Sequence, residues 1–224
     1  MTPQSRAKVD AAIEGWKYMH SLPEEWHGFS LHQERTVQEE IYDLFTYAYP
    51  SLHRQIIIYY HDETQEFKLR ERVGSLEFCD IECIAKDLDD FERLLQENLE
   101  RIMLGLIHYQ SESASAMVID KKITGWNYAP FLPKTLEGFE LFIQPDQPLK
   151  ITNGSYVIVD YENFNKNSNL AIYYNIFRDD FFCEACINGT RKIFYQFDSR
   201  LLEDLEEKVH LHLLPCLQEI VLMG

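Results

Sequence analysis

The chain has 224 residues, a hydrophobic fraction of 46% and a formal net charge of -16. Its length is enough for two small domains or one fused pseudo-dimer, and its apolar content excludes a disordered chain. The negative field repels phosphate backbones and anionic lipid, so we expect neither a nucleic acid nor a membrane as partner. The first twenty residues lack the apolar segment of a secretory signal, and the odd number of cysteines suggests reduced thiols, so we expect a cytoplasmic protein.

One sequence pattern occurs twice. Residues 13–31 and 123–141 share nine identities in nineteen aligned positions, with the pattern Ile-x-Gly-Trp-x-Tyr-x3-Leu-Pro-x4-Gly-Phe-x-Leu. The shared residues are types that fix the backbone or fill cores, which indicates a common scaffold rather than a common chemical group. The repeat predicts two domains, 1–110 and 111–224, joined at the polar stretch 110–115.

The first half alternates between helical and strand-like patterns. Its predicted elements are, in chain order, a helix at 4–20, a strand at 28–31, a helix at 37–48, a buried strand at 56–60, half-buried strands at 67–73 and 79–83, and a closing helix at 87–106. The helix at 37–48 is predicted from apolar residues three and four positions apart, with Pro50 as its stop.

The second half repeats this order with one difference. Its predicted elements are an apolar strand at 170–177, a hairpin of 181–187 and 191–197 around Asn188-Gly189, and a closing helix from Ser199 that Pro215 should kink or interrupt. A loop and a strand at 156–159 stand where the first half has the helix at 37–48. The sequence therefore predicts an α+β tandem duplication, in which each half has an N-terminal helix, an antiparallel sheet of about four strands and a long C-terminal helix.

The cysteines and histidines show no spacing that indicates a metal centre. Cys183 and Cys186 should point to opposite faces of a strand, whereas Cys79 and Cys83 share a face with the apolar Ile81. The eight histidines are scattered along the chain. We predict no metal and no cofactor, while a four-thiolate site built from the two cysteine pairs remains an open alternative.

The motifs of enzymes are also missing from the sequence. It contains no phosphate loop, no Gly-x-Ser-x-Gly and no His-Glu-x-x-His, and its acidic pairs fall at predicted turns or wet helix faces. This pattern favours a non-catalytic, acidic protein-binding module with a basic protein partner. Because the halves differ at 32–53 and 142–169, we expect the functional surface there, with Glu39, Glu40 and Asp43 on the outer face of the predicted helix as candidate partner-binding residues.

One stretch is similar to a known family. A helix, then Leu-Pro-Glu-Glu-Trp at 22–26, a strand, and Ile-Tyr-Tyr at 58–60 resemble the opening of the YezG-type immunity proteins, small acidic bacterial proteins that neutralise a cognate toxin. The resemblance covers residues 13–60 and implies an immunity protein. It weakens in the second half, where Lys134, Thr135 and Leu136 stand in place of Glu24, Glu25 and Trp26.

A second hypothesis of a different class remains open. It is a small-ligand-binding or enzymatic domain with a pocket between the two repeats, since pseudo-symmetric folds often place sites between their halves. Trp16 and Trp126 would be natural wall residues of such a pocket, although their places on apolar helix stripes favour a core position.

Overall fold

The computed structural model describes residues 1–108, 115–151 and 154–224. The chain divides into two compact units, Met1–His108 and Tyr109–Gly224, which are called the first and the second unit below. Of the predicted joining stretch, residues 110–114 lie outside the described ranges. Within those ranges no helix is both long and apolar enough to cross a membrane.

The first unit is built on a seven-stranded antiparallel sheet with the order β1-β2-β4-β5-β6-β7, and β3 pairs with the beginning of β4. Its elements are α1 (Pro3–Glu14), α2 (Lys17–Ser21), β1 (Glu25–Trp26), β2 (Phe29–His32), β3 (Thr36–Gln38), β4 (Ile41–Tyr49), a 3-10 helix (Pro50–Leu52), β5 (Arg54–His61), β6 (Glu66–Val73), β7 (Leu76–Ala85) and α3 (Leu88–Ile107). The long helix α3 packs on β6 and β7.

The second unit has the same strand order, β8-β9-β11-β12-β13-β14, with β10 pairing with β11. Its elements are α4 (Ala116–Asp120), 3-10 helices (Ile123–Gly125 and Ala129–Phe131), β8 (Thr135–Leu136), β9 (Phe139–Ile143), β10 (Leu149–Ile151), β11 (Ser155–Asn163), β12 (Ser168–Asn175), β13 (Asp180–Ile187), β14 (Thr190–Ile193), a 3-10 helix (Tyr195–Phe197) and α5 (Leu202–Met223). The helix α5 packs on β13.

The predicted fold class, a helix-bounded α+β duplication with sheets of about four strands, is wrong. Each unit has a seven-stranded sheet, strands outnumber helices, and apart from α3 and α5 the helices are short. Apart from the nine-residue β4, the strands that the sequence did not reveal are short, and β1, β3 and β10 have two or three residues each. A segment this short cannot show a two-residue alternation, so hydrophobic periodicity misses it.

The predicted helix at 37–48 is also wrong, because β3 and β4 occupy this stretch. A β-bulge between Asp43 and Phe45 shifts the alternation of β4 by one residue, so that Leu44 and Phe45 are both buried. The shift produces apolar spacings of three and four residues, which imitate a helix. The expected difference between the halves therefore disappears, since β10 and β11 occupy the corresponding places in the second unit.

Of the other local predictions, one is confirmed and two are wrong in part. The hairpin at Asn188-Gly189 is confirmed, with both residues at positive φ between β13 and β14. The N-terminal helix ends at Gly15, and a separate short helix α2 follows it. Of the kink or interruption expected at Pro215, the interruption is wrong, because α5 continues through this residue to Met223.

The repeated residues make the same contacts in each unit. Trp16 Nε1 donates to Glu92 Oε2 at 2.8 Å, and Trp126 Nε1 donates to Glu206 Oε2 at 3.2 Å. Both indoles are buried, so these bonds fasten the segment before the sheet to the long helix. The recurring tryptophans are therefore parts of the framework.

A second pair of bonds fixes the recurring Leu-Pro segment. Tyr47 Oη donates to the carbonyl oxygen of Pro23 at 2.7 Å, and Tyr161 Oη donates to that of Pro133 at 2.8 Å. The turn that follows needs its glycine, because Gly28 has φ +85° and a Cβ there would lie 2.5 Å from Tyr49 Cε1. Gly138 stands in the corresponding turn at φ +82°, so the positive φ accounts for glycine in both repeats.

The bond from Tyr47 can be tested by removing one oxygen atom. We expect Tyr47→Phe to lower the free energy of unfolding by about 1 kcal/mol, because the Pro23 carbonyl loses its donor inside the protein. Tyr195→Phe is the control, since this side chain is 71% exposed. Urea unfolding followed by circular dichroism measures both, and an equal loss in the two variants would contradict this role.

Candidate functional site

The three acidic residues predicted to bind a partner do not form one patch. Glu39 lies in the turn between β3 and β4 at φ +52°, and Glu40 next to it is half exposed, 3.5 Å from the amino group of Met1. Asp43 lies within β4, where it is mostly buried. Their expected location on the outside of a helix is therefore wrong, and only Glu39 and Glu40 present carboxylates at the surface.

Asp43 belongs to a network of ion pairs that crosses the first sheet. Arg70 donates to Asp43 Oδ1 at 2.7 Å and to Glu77 Oε1 at 3.0 Å, and its guanidinium lies 4.9 Å from the ring centre of Tyr59. Arg72 donates to Glu77 Oε2 at 2.6 Å. Burial raises the pKa of Asp43, and the positive charge of Arg70 offsets part of that rise.

The charged side chains on this face of the sheet are therefore paired with one another. Each carboxylate of the network is within hydrogen-bond distance of a guanidinium, so little negative field remains to attract a basic protein. Placing the partner on Asp43 would require breaking a mostly buried ion pair, which is strongly unfavourable. The acidic surface must be sought elsewhere.

The helices α3 and α5 occupy the same place in their units and can be compared position by position. Each buried residue of α3 has a buried counterpart in α5 at a constant separation of 114 positions. The pairs are Phe91 and Leu205, Leu95 and Val209, Leu99 and Leu213, Ile102 and Cys216, Met103 and Leu217, and Leu106 and Ile220. The tryptophan acceptors Glu92 and Glu206 keep the same separation. The buried faces of the two helices are therefore equivalent.

Their outer faces differ in chemistry. The exposed positions Glu97 and Glu100 of α3 correspond to Leu211 and Leu214 of α5, which are 63% and 41% exposed. Two leucines three residues apart lie side by side on a helix. We call Leu211 and Leu214, together with the exposed Leu222 on the same side, the leucine face.

Carboxylates continue the leucine face toward the start of α5. Glu207 lies one turn before Leu211, and Glu203 lies one turn earlier again, so both are on the same side of the helix. Among the residues that the structure describes, neither glutamate forms an ion pair within 4.0 Å. The outer side of α5 thus combines an apolar patch with two carboxylates available to a cation.

A second candidate lies under α3, where two carboxyl groups are buried. Glu71 of β6 and Asp80 of β7 are 8% and 2% exposed. Beside them β7 carries a bulge, because Leu69 pairs with Asp80 while Lys68 pairs with Ile84, leaving residues 81–83 unpaired. Asp80 Oδ1 accepts a 2.8 Å hydrogen bond from the backbone N–H of Glu82, so this carboxylate holds the bulge in shape.

Glu71 has the most perturbed carboxyl group of this cluster. Burial raises the pKa of Glu71 to about 8, the negative charge of Asp80 adds to the rise, and Arg101 offsets part of it. Within the described part of the chain its carboxyl group makes no hydrogen bond. A protonated Glu71 at neutral pH is a potential proton donor, but its first effect is on stability.

We expect the stability of the protein to fall as the pH rises from about 4.5 to 8. In this window the unfolded chain has lost a proton that folded Glu71 keeps, so raising the pH favours unfolding, with a slope of up to about 1.4 kcal/mol per pH unit. Glu71→Gln should flatten the slope when urea unfolding is measured across this range. Glu63→Gln, an exposed carboxyl in a turn, is the control and should leave it unchanged.

Cys183 and Cys186 lie on opposite faces of β13, as predicted, but Cys79 and Cys83 do not share a face. Cys79 lies opposite Arg70 on the face of the ion-pair network, whereas Cys83 is buried within the bulge near Asp80. The bulge thus removes the shared face that was predicted for them. Burial raises the pKa of the Cys83 thiol to about 12. Among the described residues, no group of three or more His, Cys, Asp or Glu side chains could hold a metal ion.

Sequence analysis missed the leucine face because it considered only the residues of each closing helix that were expected to be buried. The residues off the stripe, Leu211 and Leu214, are visible in the sequence, and aligning α5 with α3 by their buried residues would have revealed leucine in place of glutamate. The bulge, by contrast, leaves no readable trace, since residues 79–83 show an ordinary alternation.

Comparisons of the chain with family models, with curated proteins and with solved structures give no match. The resemblance of residues 13–60 to YezG-type immunity proteins therefore stays a prediction. Function has to be inferred from the geometry and the charges of the chain itself.

Proposed function

We propose that this chain is a non-catalytic, acidic protein-binding module of the cytoplasm, and that its basic protein partner docks on the leucine face of α5. The observation that carries the proposal is the replacement of Glu97 and Glu100 by Leu211 and Leu214 on an otherwise equivalent helix. Framework needs do not account for exposed leucines, since α3 supports its sheet with charged residues at these positions. Adjacent exposed apolar residues are typical of docking surfaces.

The chemistry of α5 suggests the kind of partner. An apolar patch that continues into Glu203 and Glu207 fits a segment with apolar residues on one side and Lys or Arg beyond them, such as an amphipathic basic helix. The net charge of -16 would accelerate its association at low salt. The YezG-type resemblance supports a toxin as this partner, which would make the chain an immunity protein.

The leucine face can be removed without adding charge. We expect Leu211→Ser/Leu214→Ser to reduce recovery of a stoichiometric basic partner at least ten-fold in native purification from the source organism, measured by quantitative mass spectrometry. Glu97→Gln/Glu100→Gln, at the equivalent positions of α3, should leave recovery unchanged. Circular dichroism checks folding, which these exposed substitutions should preserve. Equal recovery by both variants would place the partner on another surface.

The charge of the partner is tested separately. Glu203→Gln/Glu207→Gln should weaken binding and reduce its dependence on salt, because two carboxylates no longer face the cations of the partner. If the recovered partner is toxic when expressed alone, co-expression of the natural chain should restore growth, and the double serine variant should not. An acidic partner, or one that binds without salt dependence, would exclude this model.

A further inference from the structure

The first unit contains a cleft that the proposed function does not use. It has a volume of about 390 Å³, which lies within the usual range of small-molecule sites, and it opens between α1, the β5–β6 hairpin and the start of α3. Val9 and Ala12 of α1 form one wall. Tyr60 and Phe67, whose ring centres are 5.1 Å apart, form another.

Two cations, Lys8 and Lys86, line this cleft. Lys8 and Lys86 form no ion pair within 4.0 Å with any residue that the structure describes. The carboxylate of Asp87, which also lines the cleft, accepts a 2.9 Å hydrogen bond from the backbone N–H of Asp90 at the start of α3. Glu66, close by on β6, is paired with Lys68 at 2.9 Å. The hydrogen bond from Lys68 and, to a smaller extent, the charge of Lys86 lower the pKa of Glu66, so Lys86 is only partly neutralised, and both Lys8 and Lys86 line the cleft.

At the equivalent place in the second unit, a lysine is paired with a carboxylate of the same unit. Tyr174 and Phe181 are paired across β12 and β13 as Tyr60 and Phe67 are paired across β5 and β6. Lys121 lies 6.0 Å from the ring centre of Tyr174, and its Nζ is 2.8 Å from Asp179 Oδ1. The protein supplies both the cation and the anion there.

In the first unit the counterpart of Asp179 carries no charge. Asp179 immediately precedes β13 at φ +51°, and the residue in the same place before β6 is Gln65 at φ +54°. An amide therefore stands where the second unit has a carboxylate, and the amide group can donate a hydrogen bond to an anion. The cleft therefore has two lysines and an amide donor, and the carboxylate that it contains is that of Asp87, which caps α3.

We propose that this cleft binds a small organic anion, with a phosphate or carboxylate group held by Lys8 and Lys86 and an apolar body between Ala12, Tyr60 and Phe67. An inorganic anion would contact the lysines but leave the apolar walls exposed to water, while a neutral aromatic molecule would contact those walls without pairing with the lysines. Both parts of the ligand are needed to fill the site.

The test uses phenyl phosphate as the probe and isothermal titration calorimetry on the full chain. We expect phenyl phosphate to bind at least ten-fold more tightly than benzyl alcohol or inorganic phosphate. Lys8→Gln/Lys86→Gln should weaken its binding at least ten-fold. Lys134→Gln/Lys150→Gln changes the net charge equally at exposed positions of the second unit and should bind as the natural chain does.

A second variant tests the apolar part of the site. Ala12→Phe should block the cleft and abolish binding while both lysines remain. The site is independent of the leucine face, so Leu211→Ser/Leu214→Ser should bind phenyl phosphate normally. Failure of the natural chain to bind the probe at millimolar concentration, or equal binding by the two lysine variants, would overturn the proposal.

Discussion

In each unit the arrangement of the helix on the sheet depends on one hydrogen bond between a buried indole and a glutamate of the long helix. An indole has one hydrogen-bond donor, its N–H, and no acceptor, so a buried indole needs an acceptor at one fixed position. The bonds Trp16–Glu92 and Trp126–Glu206 therefore join each long helix to the segment that precedes its sheet at the same point. The buried residues of α3 and α5 also fall at equivalent positions, and the outward residues are free to vary.

The sequence predicted the parts of the fold whose patterns are long. The stripe of α3 and the Asn188-Gly189 turn were readable because each follows from a regular period or a single strongly constrained turn. The strand β4 was predicted as a helix because its bulge shifts the alternation of buried and exposed residues by one position. Its conformation is determined by pairing with neighbouring strands, which local spacing does not show. The charged residues could be found in the sequence, but which of them are neutralised could not, since the Asp43–Arg70 pair joins strands 27 residues apart.

The two candidate binding regions arise from the same comparison. The second unit has leucines on α5 at positions where the first unit has glutamates on α3. In the second unit a lysine pairs with Asp179, whereas in the first unit Lys8 and Lys86 lie in a cleft that is also lined by Gln65. In both cases the backbone geometry is retained and only the chemistry of one surface changes. Equivalent frameworks with different surfaces allow one chain to present an apolar patch on one unit and a lysine-lined cleft on the other without altering either core.

The bulge of β7 also has a consequence for self-association. This ten-residue strand is the last of its sheet on one side, a position from which unpaired backbone groups can recruit strands of other molecules and seed fibrils. At the bulge, the Glu82 N–H is already satisfied by Asp80, and the neighbouring Ile81 and Glu82 side chains project outward. A strand of another molecule could not form a continuous hydrogen-bond ladder along this edge, and it would meet the charged side chain of Glu82. The bulge therefore disfavours polymerisation through β7.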